Sequence, residues 1–400
     1  MKYFLVLGDG MADEPLAELD NRTPLETADI SEINRLAKMS EIGMVHTVPD
    51  GMKPGSDTAN LSVLGYDPKQ YYTGRSPLEA LSIGVDLAPD DVAIRCNIVT
   101  LTESAASYEE QTMVDHSSGE IGTEEAAVLL EAVKKELETD VFHYYVGTSY
   151  RHLLVWNKGE IDEMTGPHEI PGQVIKEYLP KEPHLLDMMK KSFDILKDHP
   201  INVERKKKGL HPANSIWFWG AGTRPALSSF EEKNKKKGVM ISAVDLLKGI
   251  GHGAGMKVIE VPGANGGLHT NYRGKAEAAV HALLDDGYDF AYIHVEAPDE
   301  MGHLGHTADK IEAIERIDRD VVKTITTAME QAGEDYRMLI LPDHPTPIAV
   351  RTHTSDDVPY LLFDSTKKEV HDWNYNEKEG RKSGNRAAIG HRLIDRLFSE

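Results

Sequence analysis

Three short apolar runs constrain this chain more than anything else in it. Residues 3–7, 290–295 and 336–341 are mostly apolar, and each gives way within a few residues to an acid: Asp9, Asp299 and Asp343. Near-continuous apolar runs of this length mark strands covered on both faces, as in a parallel sheet between helical layers. Further strand-like runs lie at 92–100, 141–146, 151–156, 215–219, 239–243, 257–261 and 358–363. Helical spacing predicts helices over 28–42, where Ile30, Ile33, Leu36 and Ala37 share a face, and over 123–137, 274–284 and 307–332. This alternation predicts an α/β fold with a doubly wound, mostly parallel sheet.

In open α/β sheets, ligands bind beyond the carboxyl ends of the strands. Asp9 sits between Gly8 and Gly10 at the first such end, where it is either a turn-capping acid or a ligand. Asp299 and His303 follow the second, four residues apart, so both can face one way on a helical turn. They are either a cap and a surface imidazole or a metal pair; carboxylate oxygen with imidazole nitrogen suits Mn, Zn or Fe better than Mg or Ca. Asp343 and His344 end the third run, and His353 lies on the loop after it. Behind Pro54 and Gly55, a helix is predicted from Ser56 or Asp57 through Leu64. Ser56 there is either a cap or a nucleophile whose attached phosphate the helix N-terminus favours. As a nucleophile it needs a base or a metal beside it. Three acids and three imidazoles at one sheet edge, with a serine nearby, suffice for two metal ions sharing a phosphoryl substrate.

From about 66 to 235 the texture changes. A turn-rich segment at 71–77 carries Arg75, strand-like runs follow, and a basic cluster at 205–208 reads as a solvated face. Residues 220–225 read as a Gly-rich turn beside Arg224, either an anion cradle or a plain turn. A chain of 400 residues accommodates one core with such an insertion. With 44 basic against 66 acidic residues, the net charge of −22 argues against nucleic acid and anionic membrane as partners. The lone Cys96 excludes an internal disulfide framework and is expected to be buried and inert. No run approaches the ~20 apolar residues of a membrane span. The opening residues 1–7 are too short for a signal peptide's apolar region, so a cytoplasmic protein is expected.

Taken together, Asp9, the Gly55-Ser56 helix start, Asp299, Gly302 and His303, Asp343 and His344, and Thr352-His353-Thr354 resemble the alkaline phosphatase superfamily. The closest resemblance is to the cofactor-independent phosphoglycerate mutases of the archaeal type. It spans nearly the whole chain, through segments 54–62, 64–68, 72–75, 149–152, 242–251 and 295–300. The resemblance implies an alkaline-phosphatase-like metalloenzyme core formed by residues 1–65 and 236–400, interrupted by an inserted α/β substrate-binding domain at 66–235. It implies two divalent ions, Mn²⁺ first, with Zn²⁺, Co²⁺ or Mg²⁺ as alternatives. Asp299, His303 and His353 would hold one ion, and Asp9, Ser56, Asp343 and His344 the other. Ser56 would take the phosphate of 3-phosphoglycerate as phosphoserine and return it to the 2-hydroxyl of glycerate. Arg75, Arg151 and Arg224 would bind the small phosphorylated substrate, each with a structural ion pair as its alternative role, and His116 would move a proton. One segment departs from the pattern. The archaeal mutases tend to carry arginines around 114–122, where this chain has Asp115-His116-Ser117-Ser118-Gly119-Glu120. A related bacterial branch shares the 8–13 opening and has been proposed to phosphorylate homoserine, which is the alternative acceptor. A homo-oligomer is compatible with the sequence.

Overall fold

The first apolar run becomes the middle of the larger of two sheets in a computed structural model that describes residues 1–367 and 370–399. In chain order the strands begin with β1 (Lys2–Gly8) and β2 (Ser40–Val45). They continue with β3 (Val92–Leu101), β4 (Met113–Asp115), β5 (Phe142–Thr148), β6 (Arg151–Trp156) and β7 (Ser215–Thr223). The last are β8 (Gly238–Ile241), β9 (Lys257–Val258), β10 (Phe290–Val295), β11 (Tyr336–Leu341), β12 (Val358–Asp364) and β13 (Arg386–Ala387). The chain divides into two units, Met1–Tyr72 with the residues from Ala226 onward, and Thr73–Pro225. The first is called the core below and the second the insert.

The core sheet has the order β13-β2-β12-β11-β1-β10-β8-β9. β1 pairs in parallel with both β10 and β11, and β8 and β9 extend the parallel part. β12 runs antiparallel to β11 and β2. Alternation along the strands gives the sheet two buried faces. Phe4, Val6, Ala291, Ile293 and Val295 face an apolar cluster shared with the helices Ser31–Ala37 and Tyr272–Leu284. On the opposite face Phe290 stacks on Phe230 and meets Phe398 edge-on. The sheet is thus α/β and mostly parallel, as the apolar runs predict.

In the insert every strand pair is antiparallel, with β3 between β6 and β7, β4 on its far end, and β5 on β6. An α/β insert was expected. The short turn between Thr148 and Arg151 permits only an antiparallel return, because a parallel crossover needs a dozen or more residues. The helices Thr123–Leu137 and Pro183–Leu196 cover the sheet through Leu129, Val133, Leu185 and Phe193. Cys96 is buried there, and burial pushes its thiol up out of the reactive range.

Three local expectations change. The helix predicted over 28–42 stops at Ala37, and residues 40–45 form β2, where Ile42 pairs with Leu361. A partner more than three hundred residues away overrides local spacing. Residues 220–223 extend β7 rather than turning, with Gly222 opposite Ala93. The helix over 307–332 contains a π-type stretch, Ile317–Val322, whose Asp318 accepts the backbone N–H of Ile33 at 2.6 Å and so caps another helix.

Candidate metal centre

β11, β1 and β10 are adjacent and parallel, and Leu341 pairs with Leu7 while Val295 pairs with Gly8. Their carboxyl ends therefore share one edge, and the residues just beyond them converge. Close passage there depends on Gly10, at φ +60°, where a Cβ would lie 2.7 Å from Asp299 Oδ1.

Asp9, Asp343 and His344 bring ligand-type atoms within 4.8 Å of one another, and so do Asp299, His344 and His353. His344 Nε2 lies 3.3 Å from Asp343 Oδ2, 3.6 Å from Asp9 Oδ1 and 3.2 Å from Ser56 Oγ. His303 Nε2 is 3.2 Å from Asp299 Oδ2 and 2.9 Å from His353 Nε2. Ser56 is the first residue of the helix Ser56–Val63, preceded by Gly55 in extended conformation. The core thus brings together all seven of the predicted metal-centre residues. His344 reaches both groups rather than the Asp9 group alone.

The electrostatics follow from burial. Burial, then the charges of Asp343, Asp299 and Glu296, raises the Asp9 carboxyl well above the usual carboxylate range. Burial also pulls the His344 imidazole down. For Asp299, burial pushes up, but hydrogen bonds from His303 and His353 prevail and hold it well below its ordinary value. The Asp299 hydrogen bond raises His303 to about 9.

This donor set fits divalent ions. It offers imidazole nitrogen and carboxylate oxygen, the ligand types of first-row transition metals. Asp9 Oδ1 is buried with no hydrogen-bond partner, so it holds a lone pair directed at the cluster that a cation would satisfy.

Sequence reasoning missed the layer behind these candidate ligands. Thr346 Oγ1 donates to Asp299 Oδ1 at 2.5 Å. Asn60, one helical turn after Ser56, donates to Asp343 Oδ2 at 2.8 Å. His294 lies 2.8 Å from Asp9 Oδ2. A buried polar residue inside an apolar run is the informative exception to core composition, and His294 carried that signal.

The insert holds a separate cationic group. Arg75 donates to Glu79 at 2.9 Å, and the buried Arg95 approaches the same carboxylate at 3.2 Å. Arg95 lies 4.8 Å over the Trp219 ring, Arg151 5.1 Å over Tyr150, and His116 packs edge-on against Tyr150 and His168. Arg95 Nε is buried without a hydrogen-bond partner. Burial pulls the Arg95 guanidinium down, Glu79 opposes this, and the charges of Arg75 and Arg151 add to it. Arg224 instead donates to Asp86 Oδ1 and to the carbonyl of Leu87, both at 3.0 Å. Arg95 and His168 were not foreseen, since Arg95 interrupts an apolar strand and nothing local marks its partners.

Comparison with known proteins gives consistent findings. The family model for 2,3-bisphosphoglycerate-independent phosphoglycerate mutase matches residues 37–202. A probable mutase of the same description from Geobacter sulfurreducens is 46% identical over 403 residues, covering 100% of both chains. A 2,3-bisphosphoglycerate-independent phosphoglycerate mutase from Methanosarcina barkeri is 46% identical over 389 residues, covering 96% of each. A solved protein from Pyrococcus horikoshii superposes with a TM-score of 0.82 at 30% identity, covering 100% of this chain and 98% of its own.

Proposed function

We infer the function from one premise: this chain belongs to the 2,3-bisphosphoglycerate-independent phosphoglycerate mutases. It is an isomerase that interconverts 3-phosphoglycerate and 2-phosphoglycerate. We propose that transfer runs through a phosphoserine on Ser56. The observation that carries this is the position of Ser56 Oγ, at a helix start and 3.2 Å from His344 Nε2 beside Asp343. A helix N-terminus offers free N–H groups to the phosphate that arrives.

In the forward direction Ser56 Oγ loses its proton and attacks phosphorus, and the bond from phosphorus to the 3-oxygen breaks. The 2-hydroxyl oxygen of glycerate then attacks the phosphoserine, and Ser56 recovers its proton as the Oγ–phosphorus bond breaks. One proton moves onto the 3-oxygen and one leaves the 2-hydroxyl. His116 is proposed to carry that exchange. Asp299, His303 and His353 are proposed to hold one divalent ion, and Asp9, Ser56, Asp343 and His344 the other, with Mn²⁺ preferred to Zn²⁺, Co²⁺ or Mg²⁺. When bound, such ions neutralise phosphoryl charge and lower the proton affinity of a serine oxygen.

The insert is proposed as the substrate-binding domain. Arg75, Arg151 and Arg224, joined by Arg95, are proposed to supply the positive charge that a phosphate and a carboxylate require, with Arg224 also paired to Asp86. Relatives described as phosphoglycerate mutases or probable ones, matched over 96–100% of both chains, support phosphoglycerate over homoserine as the substrate. No helix among the described residues is long and apolar enough to cross a membrane.

The test is turnover of 3-phosphoglycerate with Mn²⁺ and without 2,3-bisphosphoglycerate. Ser56→Ala is expected to lower it on the order of 10⁴-fold, the scale of losing a covalent nucleophile. Substantial turnover by the alanine variant overturns the assigned nucleophile.

A further inference from the structure

β10 is buried along its whole length, yet two of its side chains are polar. Ala291, Ile293 and Val295 face the apolar cluster, so Tyr292 and His294 share the opposite face. Both are fully buried, and each begins a chain of hydrogen bonds that ends on a carboxylate of the metal centre.

His294 Nε2 lies 2.8 Å from Asp9 Oδ2, and His294 Nδ1 lies 3.1 Å from Ser242 Oγ. Ser242 Oγ accepts the Val244 N–H at 3.0 Å and has its own proton available to donate to Nδ1. With that donation the imidazole proton sits on Nε2, the arrangement in which Asp9 Oδ2 meets a donor rather than a lone pair. Lys275 Nζ, also buried, donates to the His294 carbonyl at 2.9 Å and pins the strand end. The second chain runs from Tyr292 Oη to Asn60 Oδ1 at 2.6 Å, and from Asn60 Nδ2 to Asp343 Oδ2 at 2.8 Å. Asn60 Nδ2 also reaches the Ser56 carbonyl at 2.8 Å, tying the helix start to the same rack.

We propose that β10 is the positioning strand of the metal centre: His294 and Tyr292 hold Asp9 and Asp343 in a fixed orientation, so that Asp9 Oδ1 is left for the ion. Both are fully buried, so neither is placed to meet substrate. Each acts by orienting a ligand, and such partners typically change metal affinity about 10–100-fold when lost. The inference rests on the metal reading of the previous subsection.

The experiment is Mn²⁺ binding to metal-stripped protein, read from the loss of the free-ion signal in electron paramagnetic resonance, with circular dichroism to confirm folding. Expected are a 10–100-fold loss of affinity in His294→Leu and in Tyr292→Phe, and a several-fold loss in Ser242→Ala. His294→Gln, which keeps an N–H donor, is expected to recover most of the affinity. Tyr292→Phe and Ser242→Ala each remove one hydroxyl and decide the matter if His294→Leu does not fold. Affinities within twofold of wild type in the folded variants overturn the proposal, and so does a glutamine variant no better than leucine. A wild-type protein that binds no Mn²⁺ overturns the metal reading as well, which separates the two failures.

Discussion

In the core, three buried carboxylates meet just past the ends of parallel strands; in the insert, a buried guanidinium lies over an indole on an antiparallel sheet. The core's groups are short side chains whose positions are set by backbone, through strand register and a Gly10 that admits close passage. The insert's groups are long side chains placed by what they stack on. The core's cluster gathers negative charge that a cation would relieve, whereas the insert, acidic as a whole, gathers Arg75, Arg95 and Arg151 into one local cationic group. The lesson is that short acids placed by backbone and long cations placed by stacking are two different ways of building a charged cluster, one in each unit.

The comparison can be sharpened first through the core's buried acids. Glu377 accepts the Asp13 N–H and the Thr23 hydroxyl, while Asp13 pairs with the buried Lys310 at 2.8 Å. Burial pushes Glu377 up to about 7 from its ordinary 4.5. Between those values the folded protein binds more protons than the unfolded chain, so stability falls as pH rises from about 4.5 to about 7. At ~1.4 kcal/mol per unit the loss is ~3 kcal/mol. Glu377→Gln is expected to flatten this part of the stability profile in urea melts at several pH values. An unchanged slope breaks the claim that the core stores charge strain.

The insert responds differently. Arg95→Leu is expected to raise KM for 3-phosphoglycerate by about 10–100-fold, the scale of one charge-assisted hydrogen bond. Mn²⁺ affinity and kcat are expected to stay within about threefold, on the ground that uniform binding moves KM alone. A variant that lost Mn²⁺ affinity instead would erase the division between the units.

The same difference explains what could be read from the sequence. The convergence of Asp9, Asp299 and Asp343 was legible because an acid within a few residues of an apolar run is a local signal. The parallel character of the core sheet was legible for the same reason, since doubly covered strands are apolar throughout. His294 and Asn60 were not, because their importance comes from partners 285 and 283 positions away. The strand direction within the insert was not legible. Strand direction is a property of pairing, and β3 shows no alternation because all ten of its residues are buried. Arg95 in that strand is visible as a functional group only once Trp219 and Glu79 are placed around it.

The central claim is that the core's serine becomes the phosphate carrier. The direct measurement is to mix Mn²⁺-loaded protein with 3-phosphoglycerate, stop the reaction in denaturant at neutral pH so that phosphoserine and phosphohistidine both survive, and locate the phosphate by peptide mass spectrometry. Phosphate is expected on Ser56. Phosphate on His116, or turnover with no phosphorylated peptide, would contradict it.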